Sequence, residues 1–165
     1  MIVMKIIYCH HANRKIGNPP GPNDDITLLG KKDAKNVAKL IKIANQKQPI
    51  SAIYSSPFLR CKKTANIINK YVNAPIVLDE RFNEKDYNGP ESWVDCQNRI
   101  KSGILDVIKK HDNSETVVIV TSGVNVASFI NLAYGVEASE TTPYLGLSMC
   151  CPILFNIDKE KINLN

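Results

Sequence analysis

The order of apolar runs predicts an α/β fold, a three-layer α/β/α arrangement around a mostly parallel sheet. Three observations carry this expectation. Short β-branched runs alternate along the chain with longer stretches of helical periodicity. The joins between them hold capping and turn residues. A chain of 165 residues, 44% of them hydrophobic, suits one domain with one substantial core. Residues 1–165 therefore read as a single domain, without internal repeat, low-complexity tract or interdomain linker.

The first strand is expected near 3–9, where Val3, Ile6, Ile7 and Tyr8 cluster. A helix over 27–46 follows, with Thr27 as N-cap. Its apolar face is Ala34, Val37, Ile41 and Ala44, opposite a stripe of Lys31, Lys35, Lys39 and Lys42 that reads as a solvated face. The connection before it, Asn18-Pro19-Pro20-Gly21-Pro22-Asn23, is a loop stiffened by prolines. A strand at 51–55 runs into a helix over 57–71, with Ser56 as N-cap and Pro57 in the first helical position, where its missing N–H costs nothing. Phe58, Cys61, Ala65 and Ile68 then recur at helical spacing. A strand near 75–78, a helix over 91–111, a strand at 116–121 and a helix over 123–134 complete the alternation, and Gly135 stops the last helix. The final strand, 151–157, contains Pro152 near its start and fits an antiparallel edge.

Composition narrows the function classes. The net charge is +5, with 13 Lys/Arg against 3 Asp/Glu in residues 1–72 and the reverse bias beyond. No aromatic or base-reading groups are interleaved with the lysines, so a nucleic-acid partner is not expected. No apolar run is long enough for a membrane span, and the run at 3–8 is too short for a signal peptide, so no membrane partner and a cytoplasmic location are expected. The five cysteines form no Cys-x-x-Cys pair, and their odd number argues against a disulfide framework. They read mostly as small buried hydrophobes in a reducing compartment. No cofactor is implied, and a protein partner cannot be read from the sequence.

In such sheets ligands sit outside the carboxyl ends of the strands. Cys9-His10-His11, Ser55-Ser56 and Thr121-Ser122-Gly123 all fall there. Arg60 falls in the first turn of its helix, beside an N-terminus that favours an anion. Taken alone, Arg60 reads as a solvated surface residue and His10 as a structural histidine. Adjacent Cys9-His10-His11 is poor metal geometry, because neighbouring strand side chains point to opposite faces, so no metal site is expected. No Gly-x-Ser-x-Gly elbow surrounds Ser122, which argues against a serine hydrolase.

Residues 53–65, Ile-Tyr-Ser-Ser-Pro-Phe-Leu-Arg-Cys-Lys-Lys-Thr-Ala, closely resemble the second motif of the histidine phosphatase superfamily, the phosphoglycerate-mutase-like proteins. Other segments follow in that family's order. Asp25-Ile26-Thr27-Leu28-Leu29-Gly30 resembles its Asp-x-Leu-Thr-x-x-Gly helix start, Asp79 to Glu84 its acid-donor segment, and Gly89-Pro90-Glu91-Ser92 through Arg99 its Gly-Glu-Ser…Arg helix. Two positions depart: Cys9-His10-His11 stands where the family has Arg-His-Gly, and Ser122 where it has a second histidine.

The resemblance implies phosphoryl transfer through a phosphohistidine, with His10 as nucleophile, Glu84 as the acid that protonates the leaving oxygen, and Arg60 and Ser122 as phosphate ligands. The implied partner is a phosphorylated small molecule or inorganic phosphate. His11 and Arg14, in the loop after the first strand, are the residues that could return a cation to the pocket. A preorganised donor aimed at the transition state contributes about 2.7–4 kcal/mol. Losing two such donors predicts a weak or degraded phosphatase, or a non-catalytic relative that keeps an oxyanion site for binding or regulation. Only Lys85-Asp86-Tyr87-Asn88 separates the acid segment from Gly89, which predicts an open, unselective pocket without a lid.

Overall fold

The computed structural model describes residues 3–17, 21–140 and 148–160. Of the proline-rich loop expected at 18–23, residues 18–20 lie outside this description. Five strands form one sheet: β1 (Met4–His10), β2 (Ile50–Ser55), β3 (Ile76–Leu78), β4 (Thr116–Thr121) and β5 (Pro152–Ile157). Their order is β3-β2-β4-β1-β5, with β5 antiparallel to β1 and every other pairing parallel. The edge position suits Pro152, which has no N–H to donate to a ladder.

Four helices cover the faces: α1 (Leu28–Ala44), α2 (Leu59–Val72), α3 (Trp93–Lys110) and α4 (Val126–Tyr134). Alternation along the strands divides the core in two. Ile7, Cys9, Ile53, Val118 and Val120 pack with α1 and α2 residues such as Ala34, Ile41, Ala65 and Ile68. Ile6, Tyr8, Tyr54, Val117 and Ile119 face Ile100, Ile104, Val107 and Phe129 of α3 and α4. Among the described residues, no helix is long and apolar enough to cross a membrane.

Local chemistry sets the boundaries. Thr27 caps α1 as expected, its hydroxyl accepting from Gly30 N. Ser92 and Asp95 form a capping box at α3, and Glu140 reaches the N–H groups of Trp93 and Val94. Gly135 ends α4 in the left-handed region, as expected of a glycine stop.

The start of α2 differs from the expectation. It begins at Leu59, and Phe58 stays extended with ψ 138°. The Ser56 hydroxyl still accepts from Phe58 N at 3.2 Å, but Pro57 lies in the turn before the helix. A long-range bond decides the register, since Leu59 N donates to Pro22 O at 2.8 Å. The helix expected over 123–134 opens as a 3-10 turn at Gly123–Asn125 before α4 proper.

Candidate active site

The carboxyl ends of β2 and β4 meet the loop that carries Glu84, and the end of β1 lies beside β4, with His10 opposite Thr121. His10 is the last residue of β1 and is 6% exposed. Its Nδ1 lies 3.2 Å from Ser148 O. A carbonyl can only accept, so Nδ1 carries the proton and Nε2 is the basic nitrogen. The ring packs edge-on to His11, with centroids 4.5 Å apart. On another side stands Gly123, where an added Cβ would lie 2.8 Å from His10 Cε1. A glycine is required there because any side chain would take the space of the imidazole.

Arg60, in the first turn of α2, is 2% exposed and belongs to the largest fully buried side chains. It is not the solvated arginine of the bland sequence reading. One guanidinium nitrogen donates to Glu84 Oε2 at 2.6 Å and another to Gly21 O at 3.1 Å, and the group lies 4.8 Å from the centre of the Phe58 ring. Arg60 Nε and Ser122 Oγ are buried and have no hydrogen-bond partner among the described residues. Buried polar groups are normally satisfied, and Thr116, Asn125 and Ser128 carry further unpartnered buried oxygens among the described residues. Ser122 itself is fixed through its backbone, its carbonyl accepting from the Tyr8 hydroxyl.

The loop holding Glu84 is braced from two sides. The Asn125 amide donates to Phe82 O at 3.2 Å and Asn83 O at 3.1 Å, while the Thr121 hydroxyl donates to Phe82 O. From α3, Arg99 donates to Arg81 O at 2.7 Å and Asn83 O at 3.1 Å while pairing with both oxygens of Glu91. Ser56 Oγ donates to Asn83 Oδ1 at 2.6 Å. Asn125, Thr121 and Arg99 were not singled out from sequence as parts of the site. The prior signals were Arg99's place in a Gly-Glu-Ser…Arg pattern and Thr121's place at a strand end.

The expected replacement cations are otherwise engaged. His11 is 2% exposed, and its Nδ1 lies 2.9 Å from the carbonyl of Ala12. Burial, with the nearby His10, Arg60 and Arg14, lowers its pKa to about 3, so it is neutral at physiological pH. His11 therefore does not bring a positive charge to the site, contrary to the sequence expectation. Arg14 is an ion-pair partner of Asp24 at 2.8 Å, although it still borders the cavity. Cys9 is fully buried in the apolar cluster under α1 and α2, and the neighbouring Cys150 thiol, together with burial, raises its pKa well above the usual thiol value. Position 9 supplies no charge of either sign.

A cavity of about 1020 Å³ opens over the Arg60–Glu84 pair and runs past Lys85, Tyr87 and Arg99. The mouth expected to be open carries a short structured edge. The short segment after Glu84 builds one wall, with Tyr87 edge-on to Trp93 at 5.9 Å and Lys85 Nζ 5.7 and 5.6 Å from the two ring centres. The sequence signal was present in the spacing of Lys85, Tyr87 and Trp93 around the Gly89-Pro90 turn, but only packing shows that they face one another.

The model of the histidine phosphatase superfamily (branch 1) matches residues 12–91. The matched stretch begins just after Cys9-His10-His11 and ends before Ser122, so it omits both altered motifs. Phosphoserine phosphatase 1 of Hydrogenobacter thermophilus is 26% identical, the alignment covering 84% of this chain and 80% of that protein. Among solved structures, YhfR of Bacillus stearothermophilus superposes with a TM-score of 0.77 at 18% identity, covering 98% of this chain and 95% of that one. A mutant phosphoserine phosphatase of Entamoeba histolytica in complex with phosphoserine gives 0.74 at 18% identity, covering 95% and 92%. The protein histidine phosphatase SixA complexed with tungstate gives 0.72 at 14% identity, covering 95% and 90%. The chain has the phosphoglycerate-mutase-like α/β fold, and just under half of it matches the histidine phosphatase superfamily.

Proposed function

We propose that this protein is a phosphomonoesterase of low catalytic power that works through a phosphohistidine at His10. The observation that carries the reading is the Arg60–Glu84 pair beside two unsatisfied buried donors, Arg60 Nε and Ser122 Oγ. A phosphoryl group supplies the acceptor oxygens that these donors lack. Entering the site, it takes the place of Glu84 on Arg60. The displaced carboxyl is then placed to serve as the general acid.

The steps follow from the tautomer of His10. Nε2 attacks phosphorus, the bond to the leaving oxygen breaks, and Glu84 gives that oxygen its proton. Water then attacks the phosphohistidine with Glu84 as base, releasing inorganic phosphate and restoring the imidazole. Ser148 O holds the Nδ1 proton throughout and stabilises the positive charge of the phosphorylated ring.

The weakness has a structural source. Neutral Cys9 and neutral His11 leave Arg60 as the buried cation of the pocket, and Ser122 offers a hydroxyl in place of an imidazolium. Two missing donors correspond to about 10⁴–10⁶-fold in rate as an upper range, because such groups rarely act additively. The Arg60–Glu84 pair also favours a second reading, an oxyanion-binding protein without turnover, because the acid neutralises the cation of the pocket.

The relatives direct the first assays to phosphoserine and an aryl phosphate. Single-turnover reactions with labelled phosphoserine, quenched in base to preserve phosphohistidine, should show label on His10 of wild type and none on His10→Ala. Binding of tungstate or phosphate without any phosphohistidine would favour the second reading. Binding of neither would refute both.

A further inference from the structure

Cys9 and Cys150 are not used by the proposed chemistry, yet they lie directly behind it. Cys9 is opposite Pro152 in the β1–β5 ladder, which brings the turn preceding β5 across the end of β1. Two backbone bonds lace that turn down: Cys150 N donates to His11 O at 3.1 Å, and His10 N to Cys151 O at 3.3 Å. Both cysteines belong to the same buried cluster, 0% and 4% exposed, and neither is in a disulfide. The Cys9 thiol donates to His10 O at 3.5 Å, and the Cys150 thiol is the neighbour that most perturbs it. Cys150 adopts φ 59°, a left-handed backbone that residues other than glycine rarely take. Ser148, two residues before Cys150, supplies the carbonyl that fixes His10 Nδ1.

We propose that Cys9 and Cys150 are a reversible oxidation site, closing to a disulfide with hydroperoxides and reopening with dithiol reductants. Bond formation does not depend on the function proposed above; its effect on phosphoryl transfer does.

The pair has a direction. Cys150, the less buried of the two and with its pKa lowered beside Cys9, is the nucleophile, and the fully buried, neutral Cys9 is the resolving thiol. The Cys150 thiolate attacks one peroxide oxygen, the O–O bond breaks, and the departing hydroxide takes up the proton to leave as water. The Cys9 sulfur then attacks the sulfenic sulfur of Cys150, the S–O bond breaks, and hydroxide leaves with the Cys9 proton as a second water. Two thiols and one hydrogen peroxide thus give one disulfide and two waters. The sulfurs must close to an S–S bond of about 2.05 Å. That movement draws on the 148–151 turn and so on the carbonyl that orients His10.

The test uses the full chain. Reduced wild type is treated with stoichiometric hydrogen peroxide, blocked with an alkylating reagent, and measured by intact mass and non-reducing peptide mapping. The expected result is loss of two hydrogens, a Cys9–Cys150 cross-linked peptide, and recovery with dithiothreitol. Cys151→Ser should retain the cross-link, and Cys150→Ser should slow peroxide-driven loss of the Cys9 thiol by about tenfold or more. A cross-link between Cys150 and Cys151, or oxidation confined to Cys151, would overturn the proposal. Imidazole ¹⁵N spectra of the same samples test the coupling: the His10 signals should shift on oxidation and return on reduction. A cross-linked protein with unmoved His10 signals refutes the coupling to the active site, independently of any phosphatase assay.

Discussion

Replacing Arg60 with methionine tests both the stability and the ligand logic of the pocket. The change removes the partner of Glu84 and of Gly21 O, and it places an apolar chain against Phe58. Breaking a fully buried ion pair costs about 3–5 kcal/mol, because the remaining charge is stranded. Glu84 is 17% exposed on its side chain and borders the 1020 Å³ cavity, so it regains part of its hydration. The expected loss is therefore about 2–3 kcal/mol, below the fully buried range. For a chain of this size that lowers Tm by roughly 4–12 °C. Adding Glu84→Gln should recover about 1–2 kcal/mol, a coupling that a double-mutant cycle in urea isolates. Inorganic phosphate at ten times its Kd should stabilise wild type by about 1.4 kcal/mol and leave Arg60→Met unchanged. Equal losses in the single and double variants, or phosphate stabilisation that survives the loss of Arg60, would refute the account of the pocket as an ion pair opened by the ligand.

Three further outcomes follow from named contacts. Gly123→Ala should abolish phosphohistidine formation while leaving the urea midpoint within about 1 kcal/mol of wild type, because its Cβ meets the His10 side chain and not backbone; quench-flow labelling and unfolding together check this. Ser122→His should raise turnover of an aryl phosphate by about tenfold or more, whereas Cys9→Arg should chiefly lower stability, since it buries a charge in the apolar cluster; steady-state rates and thermal melts separate the two. His11, with its folded pKa at about 3 against an unfolded value near 6.5, contributes stability that is complete above pH 6.5 and is lost as pH falls toward 3. Between those limits the unfolded state binds one more proton. His11→Phe should therefore flatten the acid limb of stability against pH, by about 2 kcal/mol between pH 7.5 and 5 relative to wild type, as urea midpoints at the two pH values would show.

What the sequence disclosed depended on range. The succession of strands and helices along the chain follows from local periodicity, and the antiparallel edge was legible in a single proline at the start of β5. Thr27 caps α1 because its partner, Gly30 N, is three residues away. Ser56-Pro57 carried an equally good local signal and misled, because Pro22 O fixes Leu59 from outside the segment. The same limit applies at the site. Its residues stand at strand ends and so were visible individually. That Arg60 is neutralised by a carboxylate 24 positions away, or that burial strips His11 of its charge, depends on contacts no local pattern encodes.

The clasp of Thr121 and Asn125 on the carbonyls of Phe82 and Asn83 has a consequence for how this scaffold can change. It makes the end of β4 and the acid-bearing loop one mechanical body, tied through main-chain atoms that any substitution preserves. Residue 122 sits on that body without being one of its fasteners, since its own anchor is a backbone carbonyl. The side chain at 122 is thereby an exchangeable tool on a fixed mount: it can be retuned from imidazole to hydroxyl, or back, without relocating the acid. Thr121 and Asn125 lack that freedom, and a lineage that varied them would have to rebuild the loop.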